Sequence, residues 1–184
     1  MVRLVILGGS GSGKSTQARR LCDRKEIPLI STGKVLREAI ACSSDSNRHV
    51  YPYIKQDEPV FDKTMTEFVL ERLKKSDIGK GWIIEGYPHN RFQAEKLDFL
   101  LDALGQKLDW AIYLQVSEAV MVNRSLGRSL PDDQSEIVHR RVELFYDRTV
   151  PILEYYDRRR RLLTINGDQT PDMVQQSIIS LLDA

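Results

Sequence analysis

The sequence contains few cysteines and lacks any long apolar run. Its two cysteines, Cys22 and Cys42, are far apart and show no CxxC spacing, which excludes a disulfide-rich secreted scaffold. This cysteine usage is typical of a reducing compartment, so we expect a cytoplasmic protein. No apolar stretch approaches the length of a membrane span, and a glycine-rich segment begins already at Gly8, too early for a signal peptide. We therefore expect no membrane partner.

The sequence also lacks an excess of charge of either sign. Its 27 lysines and arginines are balanced by 26 aspartates and glutamates, which leaves a formal net charge of +1. A nearly neutral chain gives no reason to expect nucleic acid as a partner. The 184 residues are 41% hydrophobic and contain no internal repeat, so we expect one globular domain over 1–184. We also expect a monomer.

Short apolar runs alternate with amphipathic stretches along the chain. Strands are predicted at 2–7, 27–30, 81–85, 108–114 and 162–165. Helices are predicted at 14–25, 34–41, 60–75, 91–104, 118–126, 134–160 and 173–182. Strands that alternate with helices form a parallel sheet covered on both faces, so the predicted fold class is α/β.

Two polar segments follow neither pattern. The segments 43–59 and 127–133 contain proline and are rich in Ser, Asp and Asn or in charged residues. They are predicted to be excursions from the edge of the sheet, where loops commonly contact a ligand.

The segment GGSGSGKS, residues 8–15, lies between the first predicted strand and the first predicted helix. It matches the pattern G-x-x-x-x-G-K-[ST], whose glycines let successive backbone N–H groups surround phosphate oxygens at the positive end of a helix. Lys14 would bridge the β- and γ-phosphates, and Ser15 would place its hydroxyl on the accompanying Mg²⁺. The residues predicted to bind ATP are Gly8, Gly11, Ser12, Gly13, Lys14, Ser15 and Thr16.

Further motifs accompany this loop in a matching order. They are STGKVLR at 31–37, EGYPH at 85–89, QAE at 93–95, the arginines Arg124, Arg128 and Arg141, and Asn166-Gly167. With these motifs the chain resembles adenylate kinase and its nucleoside monophosphate kinase relatives over most of its length. The resemblance implies a three-layer P-loop NTPase fold with a five-stranded parallel sheet. It also implies a helical flap for the monophosphate at about 31–60, a short lid at about 127–133, and transfer of the γ-phosphoryl group of ATP to a nucleoside monophosphate with Mg²⁺.

The resemblance also assigns roles to individual residues. Lys14 and the arginines at 124, 128 and 141 would be catalytic, because they would neutralise the transferring phosphoryl group and exclude water. Gly167 would lie in the loop that contacts the adenine of ATP, and Ser15 and Glu85 would hold the metal. The residues expected to bind the acceptor are Thr32, Arg37, Gly86, His89, Arg91 and Gln93. Of these, Thr32 and Gln93 would contact the base and Arg37 would grip the phosphate.

The chain departs from the family pattern at several of these places. Glu85 replaces an aspartate, and its longer side chain can still reach Mg²⁺ through water. His89 replaces an arginine that grips the acceptor phosphate, and a mostly neutral imidazole lacks the bidentate fork. Acceptor binding should therefore weaken unless Arg91 or Arg48 takes over that contact.

The identity of the acceptor base is left open by the sequence. Lys34 and the pair Asp57-Glu58 stand where the family has other residue types, and the short lid has no cysteines for a structural zinc. AMP is the favoured acceptor. The alternatives are another nucleotide, a small hydroxylated metabolite, or a nucleotide-binding module with little transfer activity.

Overall fold

The computed structural model describes residues 1–33, 59–127 and 135–183. Most of the predicted flap and lid, the predicted helix 34–41, and the residues Arg37, Arg48 and Arg128 lie outside these ranges. The side chain of Arg141 is also outside the description, although its backbone belongs to a described helix.

Five strands form one sheet in which every neighbouring pair is parallel. The strands are β1 (Val2–Leu7), β2 (Leu29–Ser31), β3 (Gly81–Glu85), β4 (Trp110–Gln115) and β5 (Leu162–Asn166). Their spatial order is β2-β3-β1-β4-β5, so the chain moves to one side of β1 and later to the other. The predicted five-stranded parallel sheet is confirmed, and β1 lies at its centre.

Six α-helices connect or follow the strands in the described part of the chain. They are α1 (Lys14–Lys25), α2 (Pro59–Leu73), α3 (Arg91–Ala103), α4 (Glu118–Leu126), α5 (Ser135–Asp157) and α6 (Pro171–Leu182), and a short 3-10 helix covers Ser76–Lys80. The bounds of α1 and α4 agree with the prediction. The 3-10 helix was not predicted, because five residues of mixed polarity carry no periodic signal.

Two strands begin later than their apolar runs suggest. The predicted strand 27–30 begins only at Leu29, since Pro28 has no N–H to offer a neighbouring strand and contributes only its carbonyl, which accepts from Ile83 N at 3.1 Å. The strand predicted at 108–114 begins at Trp110, because the carboxylate of Asp109 accepts a hydrogen bond from Arg3 N at 2.6 Å. Apolar composition located both strands, and local hydrogen bonding decided where each begins.

Side chains alternate across the sheet and fill two separate cores. On one face, Leu4 and Ile6 of β1 pack with α1 and α6 through residues such as Leu21 and Ile178. On the other face, Val5 and Leu7 belong to a cluster contributed by α2, α3 and α5, whose members include Val69, Leu97 and Tyr156. Burial on both faces explains why β1 is apolar at nearly every position. The result is the predicted three-layer α/β arrangement.

Candidate active site

A cavity of about 640 Å³ opens at the carboxyl ends of the central strands. One wall is the glycine-rich loop after β1, and a second is the segment from Glu85 to His89 after β3. Arg124 of α4 and one face of α5 complete the described lining. In a parallel sheet with this strand order, ligands bind at the carboxyl ends of the strands. The binding crevice lies where the strand order reverses, beside β1.

The glycine-rich loop is shaped by backbone conformations that favour glycine. The φ angles are 81° at Gly11 and 92° at Gly13, in the left-handed region, and Gly13 directly precedes α1. A Cβ on Gly11 would lie 2.8 Å from Ser125 Oγ and would collide with the carbonyl of Met121. The loop therefore packs tightly against α4, and this contact holds it at the N-terminus of α1.

The polar side chains of this loop point to a phosphate ligand. Lys14 Nζ donates to the carbonyl of Gly9 at 2.7 Å, within the cavity lining. Ser12 is only 2% exposed, and its hydroxyl is buried without a hydrogen-bond partner among the described atoms. Ser15 and Thr16 are exposed at the first turn of α1 and also line the cavity. Backbone amides at a helix N-terminus beside a lysine are suited to bind a polyphosphate.

A carboxylate and two hydroxyls meet beside the loop. Ser15 Oγ donates to Glu85 Oε1 at 2.8 Å, and Ser31 Oγ donates to Glu85 Oε2 at 2.7 Å. Ser15 and Glu85 were both predicted to hold the metal, and the structure brings them into contact. Hydroxyl and carboxylate oxygens are the ligands that Mg²⁺ prefers, so this donor set fits the ion. Ser31 was not predicted as part of the site, because only the parallel register with Glu85 places it there.

The segment after β3 forms the wall opposite the loop. Gly86 lines the cavity with a φ of 83°, and its carbonyl accepts a hydrogen bond from Thr32 Oγ1 at 2.5 Å. The backbone N–H of His89 donates to Gln93 Oε1 at 2.6 Å, and Gln93 is fully buried. Thus two of the residues predicted to touch the acceptor base, Thr32 and Gln93, have polar atoms that hold the backbone of this wall.

The guanidinium of Arg91, which is predicted to bind the acceptor, has an acidic partner on its own helix. The guanidinium pairs with Glu95 Oε1 at 2.9 Å, the Arg91 side chain is 59% exposed, and it is outside the described cavity lining. Because the two residues are four positions apart on α3, this is an ordinary surface pair of a helix. His89 itself does line the cavity.

Arg124 connects the cavity to the loop after β5. Its Nη1 donates to the carbonyl of Gly167 at 3.0 Å, and Gly167 N donates to Gln115 O at 2.7 Å. A Cβ at Gly167 would collide with Val116, which explains the need for glycine in this close approach. Two residues predicted from separate motifs, Arg124 and Gly167, therefore lie in direct contact.

The face of α5 that lines the cavity includes a residue that sequence reasoning missed. Leu144, Phe145, Arg148, Thr149 and Ile152 recur at helical spacing and form this face. Burial lowers the pKa of the Arg148 guanidinium below its ordinary value. Arg148 lies two helical turns after Arg141 on the same helix, and this spacing of seven was the available signal.

No helix within the described ranges combines the length and apolar character required to cross a membrane.

Comparisons with known proteins extend over nearly the whole chain. The family model described as adenylate kinase matches residues 6–161. Adenylate kinase 2 of Nostoc sp. is 71% identical over 181 residues, which cover 98% of this chain and 98% of that protein. Adenylate kinase 2 of Synechocystis sp. is 49% identical over 181 residues, or 98% of this chain and 100% of that protein. Adenylate kinase 1 of Nostoc sp. is 38% identical over 182 residues, or 99% of each.

Proposed function

The chain belongs to the adenylate kinase family, and we propose that it transfers the γ-phosphoryl group of ATP to AMP, yielding two ADP, in the presence of Mg²⁺. In this reaction the bond between Pγ and the β–γ bridging oxygen breaks, and an oxygen of the AMP phosphate forms the new bond to Pγ. The observation that carries the proposal is that the loop at 8–15 and the wall at 85–89 face the same cavity. That arrangement brings two phosphate-bearing ligands together, which is most of what phosphoryl transfer requires.

The chain's own residues would position and neutralise the phosphates. Lys14 and the loop amides would hold the β- and γ-phosphates of ATP, with Ser12 as a further hydroxyl donor. Ser15 and Glu85 would hold Mg²⁺, which when bound neutralises charge on the phosphate oxygens. Arg124 is tied to the loop at Gly167 and is proposed to face the transferring phosphoryl group. Arg128 and Arg141 are proposed to complete the cationic shell.

The acceptor would lie against the segment from Gly86 to His89. Gly86 would let the acceptor approach the backbone closely, because glycine has no side chain. The hydrogen bonds of Thr32 and Gln93 hold that wall in place. Arg37 is proposed to bind the acceptor phosphate. We propose that the segments at about 31–60 and 127–133 act as flap and lid around a single core, closing to exclude water that would otherwise hydrolyse ATP.

The protein is further proposed to act as a monomer in the cytoplasm. The balanced charge of the chain and the buried, unpaired thiol of Cys22 support a soluble protein in a reducing compartment. Light scattering after size-exclusion chromatography and fractionation of cells that express the protein test these two statements.

A coupled assay that follows ADP formation tests the function. The protein is incubated with ATP and Mg²⁺ and with AMP, GMP, CMP, UMP or no acceptor. We expect rapid ADP formation with AMP and much slower formation with every other condition. Transfer only to another acceptor, or no transfer, would overturn the proposal.

A variant at the loop adds a mechanistic control. Lys14→Ala should reduce kcat by at least about 10²-fold, because it removes a positive charge that would stabilise the transferring phosphoryl group. Lys80→Ala removes the same charge at an exposed position of the 3-10 helix and should leave kcat unchanged.

A further inference from the structure

The described lining of the cavity includes three basic side chains. These are Lys14, Arg124 and Arg148. Lys14 belongs to the loop that receives the β- and γ-phosphates of ATP, and Arg124 is bonded to the carbonyl of Gly167 on the β5 side. Arg148 belongs to the wall formed by α5. It is part of none of the sequence motifs and has no role in the function proposed above.

The packing of α5 against α3 locates Arg148 along the helix axis relative to the cavity edge of the sheet. Tyr155 Oη on α5 donates to Asp98 Oδ2 on α3 at 2.8 Å, which sets these two residues at the same level. Helix α3 follows the carboxyl end of β3, and α5 leads to the amino end of the parallel strand β5. Both helices therefore run from the cavity edge of the sheet toward its opposite edge.

Seven residues back along each helix is a rise of about 10 Å toward the cavity. That step takes Tyr155 to Arg148 and Asp98 to Arg91, the first residue of α3. His89 lies two residues before the start of α3, and it lines the same cavity as Arg148. Arg148 and the wall formed by Gly86 to His89 therefore lie on the same side of the Tyr155–Asp98 contact, toward the cavity that both line.

That wall has little positive charge of its own. Its members in the described lining are Gly86, Tyr87, Pro88 and His89, beside the negative Glu85. A nucleoside monophosphate brings a phosphate with nearly two negative charges at neutral pH. An arginine on an adjoining wall supplies both the charge and the paired N–H donors that such a phosphate requires.

We propose that Arg148 is a substrate-binding residue that grips the phosphate of the acceptor nucleotide and supplies the contact that His89 cannot make. The inference rests on the proposed function. It assigns to α5 a phosphate clamp that reaches across to the acceptor wall.

Steady-state kinetics of Arg148→Gln provide the test. The expected result is a rise of at least about tenfold in KM for AMP, with KM for ATP within about threefold, because a lost charge-assisted contact costs one decade or more of affinity. Competitive inhibition by adenosine, which lacks the phosphate, should be unchanged in the variant. An unchanged KM for AMP overturns the proposal, and so does an equal rise for ATP and AMP.

A second substitution keeps the proposal testable if the first variant is poorly folded. His89→Arg should tighten AMP less than threefold in the parent protein and should restore most of the lost AMP affinity in the Arg148→Gln background. Strong tightening in the parent, by tenfold or more, would show that the acceptor phosphate is not already clamped and would refute the role of Arg148.

Two controls separate this proposal from a structural effect and from failure of the function itself. Arg158→Gln removes an arginine 73% exposed, just after α5, and should leave both KM values unchanged. Arg148→Lys keeps the charge but loses the fork, so it should raise KM for AMP less than Arg148→Gln does. If the parent protein forms no ADP from ATP and AMP, the proposed function fails, and that result is visible before any variant is compared.

Discussion

Ser15 and Glu85, the first-turn hydroxyl of α1 and the last residue of β3, are joined by a hydrogen bond of 2.8 Å. The other oxygen of the same carboxylate accepts from Ser31 at the end of β2. One glutamate thus holds together three segments that meet at the carboxyl edge of the sheet. It also places two kinds of oxygen ligand for Mg²⁺ side by side.

Substitution of Glu85 by Gln should weaken the apparent affinity for Mg²⁺ by roughly 10- to 100-fold, because the site loses its negative charge. The initial rate is measured against free Mg²⁺ at saturating ATP and AMP. Glu71→Gln, which changes an exposed carboxylate paired with Lys74, serves as the control and should leave the Mg²⁺ midpoint in place. An unchanged midpoint for the Glu85 variant would remove this residue from the metal site.

Substitution of Gly86 by Ala should destabilise the protein by roughly 2–3 kcal/mol, as measured by urea unfolding. The backbone at Gly86 has a φ of 83°, and an added Cβ would lie 2.6 Å from Thr32 Oγ1. Gly105→Ala is the matched control, since its φ is 65° and nothing lies within 4 Å of the added Cβ. It should cost only about 1 kcal/mol of backbone strain. Equal losses in the two variants would mean that the contact with Thr32 is unimportant.

Substitution of Gln93 by Met should raise KM for AMP by about tenfold, because His89 N loses its 2.6 Å acceptor and the wall beside the acceptor loosens. KM for ATP should change little. Gln176→Met, at an exposed position of α6, is the control. A variant with normal kinetics and normal unfolding would show that this buried amide neither positions the wall nor contacts the base.

Cys22 should resist alkylation in the native protein. Burial raises its pKa from 9.0 to about 12, and the nearby charge of Asp23 adds to the shift. The raised pKa leaves very little thiolate at pH 8 in the folded protein. Iodoacetamide labelling is followed by peptide mass spectrometry at pH 8, with and without urea. Labelling of Cys22 at equal rates in the two conditions would contradict a buried, protonated thiol.

The same shift predicts the direction of a stability change with pH. The folded state keeps the Cys22 proton at pH values where the unfolded state has lost it. This thiol therefore contributes a loss of stability as pH rises from about 9 toward about 12. Cys22→Ala should make the alkaline fall in the unfolding free energy less steep, as measured by urea titrations at several pH values above 8.

Much of the sheet and of the phosphate-binding loop could be predicted from the sequence. The run Val2–Leu7 is apolar at every position except Arg3 because both faces of β1 are buried. The glycines that follow allow the left-handed φ angles at Gly11 and Gly13. These signals depend on a few consecutive residues, so they can be recognised without any knowledge of the fold. The ordered motifs are also short runs of consecutive residues. The family resemblance that they indicate is confirmed by the comparisons with known proteins.

The partners of the site residues could not be predicted in this way. Arg91 is predicted to bind the acceptor phosphate, and the structure pairs it with Glu95, four residues further along α3. Thr32 and Gln93 were expected at the base, and the structure uses their polar atoms on the backbone of Gly86 and His89. Each of these outcomes depends on where a side chain meets a segment from another part of the chain.

Local chemistry in the sequence determined that this protein has a parallel α/β core, a phosphate-binding loop at the end of β1 and a carboxylate at the end of β3. Tertiary structure alone decided that Glu85 would join Ser15 to Ser31 and that Arg148 would line the cavity. The reason is physical: strand and loop conformations follow from nearby residues, whereas the register of parallel strands and the rotation of a helix against the sheet follow from packing of the whole core.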